Sequence, residues 1–265
     1  MTTITNNQIV DYQLYTNRTI AYIDSSQRLS GDPERFTLNL YPWIQTARQF
    51  RVKNCTIPFT YYTIREGVND TFVFTSDADG VITIVIPPGN YTPATLAVVL
   101  DVLITALITG GVTITFNPIT GKVQLAFTAI LGSMTQANLD ASTANALLGF
   151  TAVLPAADPL IGNAVFNLGG SQVIHIHSPH LQDDTSVATG NPNDIGLSYT
   201  SIIHSVPVDV NSGSLIVDKW GSPFIDTPNS KIDKIDLELR FPDGELVDLN
   251  GENWTITLEF IGPKN

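Results

Sequence analysis

The sequence predicts a mainly β chain whose antiparallel strands form a two-sheet sandwich of the jelly-roll type. Apolar and polar residues alternate in many short runs, as at Phe36, Leu38 and Leu40, which is the period of a half-buried strand. Only 14% of the 265 residues are charged, and the 19 Gly and 16 Pro residues provide many turns. A single long apolar segment follows a helical period instead, so we expect one helix-bearing block within a β protein.

Eight strands are expected outside that block. Their approximate positions are 19–24, 34–41, 49–62, 172–178, 199–206, 214–219, 231–241 and 253–261. Eight antiparallel strands suit a single jelly roll made of two packed sheets. We therefore assign residues 18–65 and 169–265 to the jelly-roll domain. Residues 1–17 are polar without a sustained period, and we expect an arm that is disordered or ordered only by a neighbouring subunit.

Residues 66–168 are predicted to form a small inserted α/β module with the order ββαββα. A turn signal at 77–80 separates strand 72–74 from strand 81–86, and a loop at 117–121 joins two further strands. A second short helix is expected near 140–148, where Gly149 follows it. Surface functions are often carried by such insertions, because the scaffold tolerates change there.

The first helix of the module is expected over 93–107. Thr92 can cap it and Pro93 suits its first position, whereas Gly110 and Gly111 end it. The side chains expected on one face are Leu96, Val99, Leu100, Leu103 and Leu107, and Val98, Val102 and Ile108 widen that face. We therefore expect this helix to be more buried than a surface helix.

The overall charge argues against nucleic acid as a direct partner. The chain has 25 acidic and 13 basic residues, for a formal net charge of −12, and it has no basic run. The longest apolar stretch, 96–108, is shorter than the ~20 residues that a membrane span needs. Cys55 is the single cysteine, so no intrachain disulfide can form, and we expect it to be buried in a strand.

Three histidines, His175, His177 and His180, are the only candidate metal ligands that the spacing suggests. Alternate residues of a strand share one face, so His175 and His177 could hold one ion. Pro179 breaks the run, and no carboxylate lies at a supporting position within the strand. The polar face of a strand or a subunit interface explains the histidines better, and we predict no metal and no cofactor.

Catalytic patterns are weak throughout the chain. No Gly-x-Ser-x-Gly elbow and no phosphate-binding glycine loop is found, and we predict that the protein is not an enzyme. The acidic segments 77–80 and 248–251 resemble pieces of a calcium loop but lack its bidentate glutamate, so turns explain them. Tyr61, Tyr62 and Tyr91 lie near turns and suit core edges or interface anchors, with glycan contact as an alternative.

The order of short motifs along the chain carries a family resemblance. The motifs are IDSSQR (23–28), RFTLNL (35–40), FRVKNCTIP (50–58), YYTI (61–64), IPPGNYT (86–92), ITFN (114–117), TGKV (120–123) and LLGF (147–150). Together they resemble the penton, or minor capsid, proteins of virophages, polinton-like viruses and related large double-stranded DNA viruses. The resemblance extends over residues 20–261.

This resemblance implies a structural virion protein. Proteins of the family have a single jelly roll, sometimes with an inserted domain, and five copies close each icosahedral vertex. The expected partners are further copies in a homopentamer, the major capsid protein and other minor capsid proteins, and no catalytic residue is implied. The expected location is the virion capsid, after assembly in the host cytoplasm or nucleus. The alternative is a glycan- or receptor-binding jelly-roll module of a viral fibre or adhesin.

Overall fold

A computed structural model describes residues 15–128, 130–182, 201–227 and 231–263. The described residues are 45% strand and 12% helix, and every strand pair among them is antiparallel, which confirms the predicted mainly β class. It divides into two compact units. Unit 1 comprises Met1–Tyr61 with Ser171–Asn265, and unit 2 is Tyr62–Gly170.

Seventeen strands and three α-helices occur in the described ranges. The strands are β1 (Tyr15–Asp24), β2 (Ser30–Asp32), β3 (Arg35–Ile44), β4 (Gln49–Pro58), β5 (Thr71–Ser76), β6 (Gly80–Val85), β7 (Val112–Asn117), β8 (Lys122–Phe127), β9 (Gly132–Met134), β10 (Leu154–Ala157), β11 (Leu160–Ile161), β12 (Val173–His177), β13 (Ile202–Pro207), β14 (Leu215–Asp218), β15 (Ile225–Asp226), β16 (Ile232–Arg240) and β17 (Thr255–Pro263). The helices are α1 (Pro93–Thr105), α2 (Gln136–Ala141) and α3 (Asn145–Leu148), and a 3-10 turn covers Ser25–Gln27.

Unit 1 contains two five-stranded sheets. Sheet 1 has the order β1-β17-β4-β14, with β15 also paired to β4, and sheet 2 has the order β13-β12-β16-β3-β2. Alternating apolar side chains of both sheets, such as Val52 and Leu258 of sheet 1 and Leu237 of sheet 2, belong to one buried cluster. In this core, the ring of Trp254 packs edge-to-face against Phe36. Its Nε1 donates a hydrogen bond to the Pro33 carbonyl at 2.7 Å.

The strands of unit 1 differ from the sequence prediction in two respects. The described part of unit 1 has ten strands instead of eight, because β2 and β15 have only three and two residues and give no periodic pattern. The predicted arm ended at residue 17, whereas β1 already begins at Tyr15, where pairing with β17 extends the strand. Residues 1–14 of that arm, and the predicted strand start at 199–200, lie outside the described ranges.

Unit 2 contains two smaller sheets and the three helices. Sheet 3 has the order β10-β9-β5-β6, and sheet 4 has the order β11-β8-β7. The predicted order ββαββα is therefore wrong, since the described chain adds β9, β10 and β11 and divides the second helix into α2 and α3. Segments of two to four residues are too short to show a period. Gly149, in the left-handed conformation with φ 78°, ends α3.

Helix α1 begins as the sequence predicts but is less buried. Thr92 and Thr95 form a reciprocal capping box. The buried positions are Leu96, Leu100 and Ile104, whereas Val98 and Val102 are each 64% exposed, so the predicted broad buried face is wrong. A residue two places along a helix is rotated by about 200°, so Val98 and Val102 point away from the core.

Candidate interaction surface

The predicted histidine cluster lies on a polar sheet face. His175 and His177 share the outer side of β12, with ring centroids 6.3 Å apart, and their Nδ1 atoms pair with Ser205 Oγ at 2.9 Å and Ser201 Oγ at 3.3 Å. The backbone N–H of His180 instead donates to Asp236. Within the described ranges, no three His, Cys, Asp or Glu side chains are arranged to hold a metal ion.

The environment of His177 disfavours its charged form. Burial lowers the pKa of His177 to about 4, and the nearby charges of Arg240 and His175 add to this effect. In the same layer, the Glu238 carboxylate accepts from Arg35 Nε at 2.9 Å and from Arg240 Nη2 at 2.6 Å. This part of sheet 2 is therefore a hydrogen-bonded polar face.

Cys55, Asp218 and His204 form a buried polar group between the two sheets of unit 1. Cys55 is directly opposite Asp218 in the β4–β14 pairing, and His204 Nε2 is bonded to the Asp218 carboxylate. Burial raises the pKa of the Cys55 thiol to about 12, and the charge of Asp218 raises it further, so the reactive thiolate is disfavoured. Asp218 Oδ1 also accepts from the backbone N–H of Trp220 at 2.9 Å, so this carboxylate holds a loop in place.

The two acidic segments behave as turns. Asp79 accepts hydrogen bonds from Thr109 Oγ1 at 2.7 Å and from the Thr109 backbone N–H at 3.0 Å, and these lower the pKa of Asp79. In the second segment, Asp248 accepts from the backbone N–H of Asn250 at 2.8 Å. The Asp248 carboxylate is therefore engaged in a local turn contact, whereas Asp79 links its turn to Thr109, 30 residues further along the chain.

The predicted aromatic residues have different environments. Tyr61 is a core residue, stacked on Phe59 with ring centroids 4.4 Å apart and edge-on to Phe241 at 5.2 Å. Tyr91 donates its hydroxyl to the Pro87 carbonyl at 2.8 Å, whereas Tyr62 is partly exposed. The most exposed aromatic side chains in the described ranges were not predicted: Tyr41 and Trp220, each at 94%.

The outer face of sheet 1 combines charged and apolar side chains. It is defined by the residues that point away from the core on its strands and on the loop after β14: Arg18, Ile20, Tyr22, Arg51, Lys53, Leu215, Val217, Trp220, Phe224 and Glu259. Tyr22 is 78% exposed, and Leu215 and Val217 are about half exposed. Aromatic residues and arginine are enriched at protein interfaces, so this composition indicates an interaction surface.

An ion cluster occupies the centre of this face. The side chain of Glu259 is only 1% exposed, and its two carboxylate oxygens accept from Arg18 Nε and from Arg51 Nε, the latter at 2.7 Å. The Arg51 guanidinium also lies 4.7 Å from the centroid of the Phe224 ring. Two arginines thus neutralise one buried carboxylate and leave a positive charge on the face.

Sequence reasoning missed this surface, although a signal was present. In β1, Ile20 and Tyr22 alternate with Ala21 and Ile23, so both faces of the strand carry apolar residues. Strand β14 shows the same property with Leu215 and Val217 around Ile216. Apolar residues on both faces of a strand indicate that each face is covered by other protein groups.

The fold defined by the two packed antiparallel sheets of unit 1 is that of jelly-roll capsid proteins. Among solved structures, the mavirus penton protein is similar, with a TM-score of 0.51 and 10% sequence identity, over 92% of this chain and 99% of that chain. A chain of the Sputnik virophage structure has a TM-score of 0.49 and 13% identity, over 92% and 98% of the two chains. No protein-family model matches the sequence. No curated protein sequence matches it either.

The likeness to the mavirus protein concerns the fold of nearly the whole chain. Unit 2 makes up about two fifths of the residues, so a match over 92% of the chain includes most of unit 2. The resemblance to penton proteins that the motif order indicated is thereby confirmed at the level of the fold. In the ranges that the structure describes, no helix has the length and apolar character to cross a membrane.

Proposed function

We propose that the chain is a structural virion protein, a penton subunit that forms homopentamers at icosahedral vertices and contacts a major capsid protein. The observation that carries this proposal is the fold shared with the mavirus penton protein over nearly the full length of both chains. The buried Cys55 with its raised pKa, which disfavours nucleophilic chemistry, agrees with a structural role. The corresponding location is the virion capsid.

The domain organisation belongs to the same proposal. Residues 18–65 and 169–265 form the jelly-roll domain, and residues 66–168 form an inserted module that faces the exterior of the particle. The arm 1–17, of which residues 15–17 belong to β1, contacts a neighbouring subunit. Other minor capsid proteins are further candidate partners. A cyclic pentamer repeats one heterologous interface until the ring closes, so each subunit needs two different interaction surfaces.

The test is the mass and symmetry of the purified full-length chain. Native mass spectrometry should give five times the 28.7 kDa subunit, and class averages from electron microscopy should show five-fold symmetry. Measurements should cover a range of protein and salt concentrations, because weak rings dissociate on dilution. A chain that stays monomeric at all concentrations, also with the cognate major capsid protein present, would refute the proposal.

A second candidate function is binding of a glycan or receptor. The observation that favours it is the full exposure of Tyr41 and Trp220, because flat aromatic rings suit contact with sugars and proteins. A glycan array with the full-length chain tests it, with Tyr41→Ala and Trp220→Ala as matched variants. A specific glycan signal that one of these variants removes would favour a binding protein. The absence of any glycan signal would contradict this second candidate function.

A further inference from the structure

We propose that the outer face of sheet 1 binds an acidic cleft on unit 1 of a second copy of the chain. The cleft has a volume of about 460 Å³ and is lined by four carboxylates, Asp32, Glu34, Asp236 and Glu238, against one basic side chain, Arg35, which pairs with Glu238. The inference rests on the proposed function, because it names the two surfaces that join neighbouring subunits. One subunit contributes the face and the next contributes the cleft.

The composition of the outer face of sheet 1 requires a partner. Tyr22 presents a large apolar area at the β1 edge of the sheet, and Leu215, Val217 and Trp220 present a second one on and after β14 at the other edge. Exposed apolar groups grouped on one face mark interaction sites in soluble proteins. The central ion cluster fixes the orientation of Arg18 and Arg51, so the face is organised before a partner arrives.

The charge of the face selects an acidic partner. Arg18 and Arg51 share the single carboxylate of Glu259, and Lys53 lies beside them on β4, so the centre of the face is positive. The chain as a whole has a formal net charge of −12. Another copy of the chain is therefore a source of complementary charge, and opposite potentials across an interface favour association in one orientation.

The acidic cleft is the complementary surface within unit 1. It is formed by strands β2, β3 and β16 of sheet 2, where Asp236 and Glu238 point away from the core because Leu237 between them is buried. Burial raises the pKa of Glu34, and the charges of Asp248 and Asp32 raise it further despite Arg28. Carboxylates are therefore crowded at this position, and a basic group from a neighbouring subunit would relieve their repulsion.

The two surfaces differ and belong to different sheets of the same sandwich. Contact between them is heterologous, which is the type of interface that a cyclic homopentamer uses. Two identical faces meeting each other would give a two-fold dimer instead. The pairing of face with cleft therefore predicts a ring, whereas self-association of the face alone predicts a dimer.

Charge reversal on each surface, combined in a double variant, tests the pairing. Lys53→Glu and Asp32→Lys should each raise the dissociation constant of the oligomer about tenfold, because like charges then meet across the interface. In the double variant the reversed face meets the reversed cleft of the next subunit, so the dissociation constant should return to within about threefold of wild type. Lys122→Glu in unit 2 is the matched control and should have no effect.

The outcomes separate this inference from the proposed function. A wild-type chain that stays monomeric at all concentrations, also with the major capsid protein present, overturns both. A second outcome is a wild-type pentamer together with a double variant whose dissociation constant is as high as those of the two single variants. That result overturns the face–cleft pairing alone. Tyr22→Ser and Trp220→Ser provide a second measurement, since both side chains are exposed and their loss leaves the fold intact while it should weaken the oligomer at least tenfold. Unchanged assembly of both variants would also overturn the pairing.

Discussion

The two units of the chain satisfy their buried polar groups in different ways. In unit 1, the buried carboxylates of Glu259 and Asp218 are bonded to arginine and histidine. In unit 2, the buried Asp70 accepts from the Gly67 backbone N–H at 2.8 Å and from the Thr71 hydroxyl, and the amide of Asn138 caps a helix. Burial lowers the pKa of His177 in unit 1, whereas the hydrogen bonds of Asn138 in unit 2 involve no titratable group, so the stability of unit 1 should respond to pH more strongly than the contribution of Asn138.

The largest effect is expected from Glu259→Ala in unit 1. Removing the carboxylate breaks both ion pairs and opens a gap at a fully buried position, although the remaining Arg18 and Arg51 are partly exposed to water, so the free energy of unfolding should fall by about 3 kcal/mol. Chemical denaturation combined with hydrogen exchange should show the loss in unit 1 peptides. Glu238→Ala is the control, and since its carboxylate is more exposed, it should cost clearly less. Equal losses for the two variants would contradict the role assigned to Glu259.

The next effect concerns pH and His177. Its pKa is about 4 in the folded chain and about 6.5 when unfolded, so between these values only the unfolded state binds the proton. Stability should therefore fall by up to about 3 kcal/mol as the pH drops from 6.5 to 4, and level off below. His177→Gln should flatten the profile over that range. An unchanged profile in this variant would show that another group is responsible.

A smaller effect is expected from Asn138→Ala in unit 2. The Asn138 Oδ1 accepts from the Thr135 backbone N–H at 2.8 Å and from Thr75 Oγ1 at 3.0 Å, so the variant loses the reciprocal half of the α2 capping box and a link to β5, while the Thr135 cap remains. We expect a loss of about 2 kcal/mol with no dependence on pH between 4 and 7. Measuring the loss in the free energy of unfolding at pH 4 and at pH 7 tests the comparison between the two units. A loss that depends on pH would contradict it.

The smallest effect is expected from Thr92→Ala, which removes the capping box of α1. The loss should be about 1 kcal/mol and confined to unit 2. Hydrogen exchange should increase for the first turn of α1 and remain unchanged in unit 1. Thr92→Ser keeps the hydroxyl and serves as the matched control. Similar exchange in both variants would mean that the cap contributes nothing measurable.

The sequence predicted the elements that local chemistry determines. The Thr92 cap, the β7–β8 hairpin and the burial of Cys55 follow from residues close together in the chain, and the structure confirms them. The buried face of α1 could not be predicted correctly, because the helix is apolar on every side and Asp101 is its only charged residue. Amphipathic contrast is what identifies a buried face, and this helix has almost none.

The interaction surface depends on contacts that the sequence does not reveal. Glu259 meets Arg18 and Arg51, which are 241 and 208 residues away in the chain. Their meeting depends on the register of β17 between β1 and β4, and a shift by one residue would turn Glu259 into the core. Register is fixed by packing of the whole sheet, so the ion cluster becomes visible only in the folded chain.

The loop after β14 has a consequence for the kinetics of assembly. Asp218 holds the backbone of Trp220, and Gly221 follows with φ 65°, where an added Cβ would lie 2.3 Å from the Val52 carbonyl oxygen. This loop is thus fixed against β4 before any partner arrives, and Trp220 is presented on a rigid support. A preorganised anchor loses little conformational entropy on association. Substitution of Gly221 should therefore displace this loop from β4 and shorten the lifetime of the proposed oligomer, although Gly221 itself contributes no side chain to the contact.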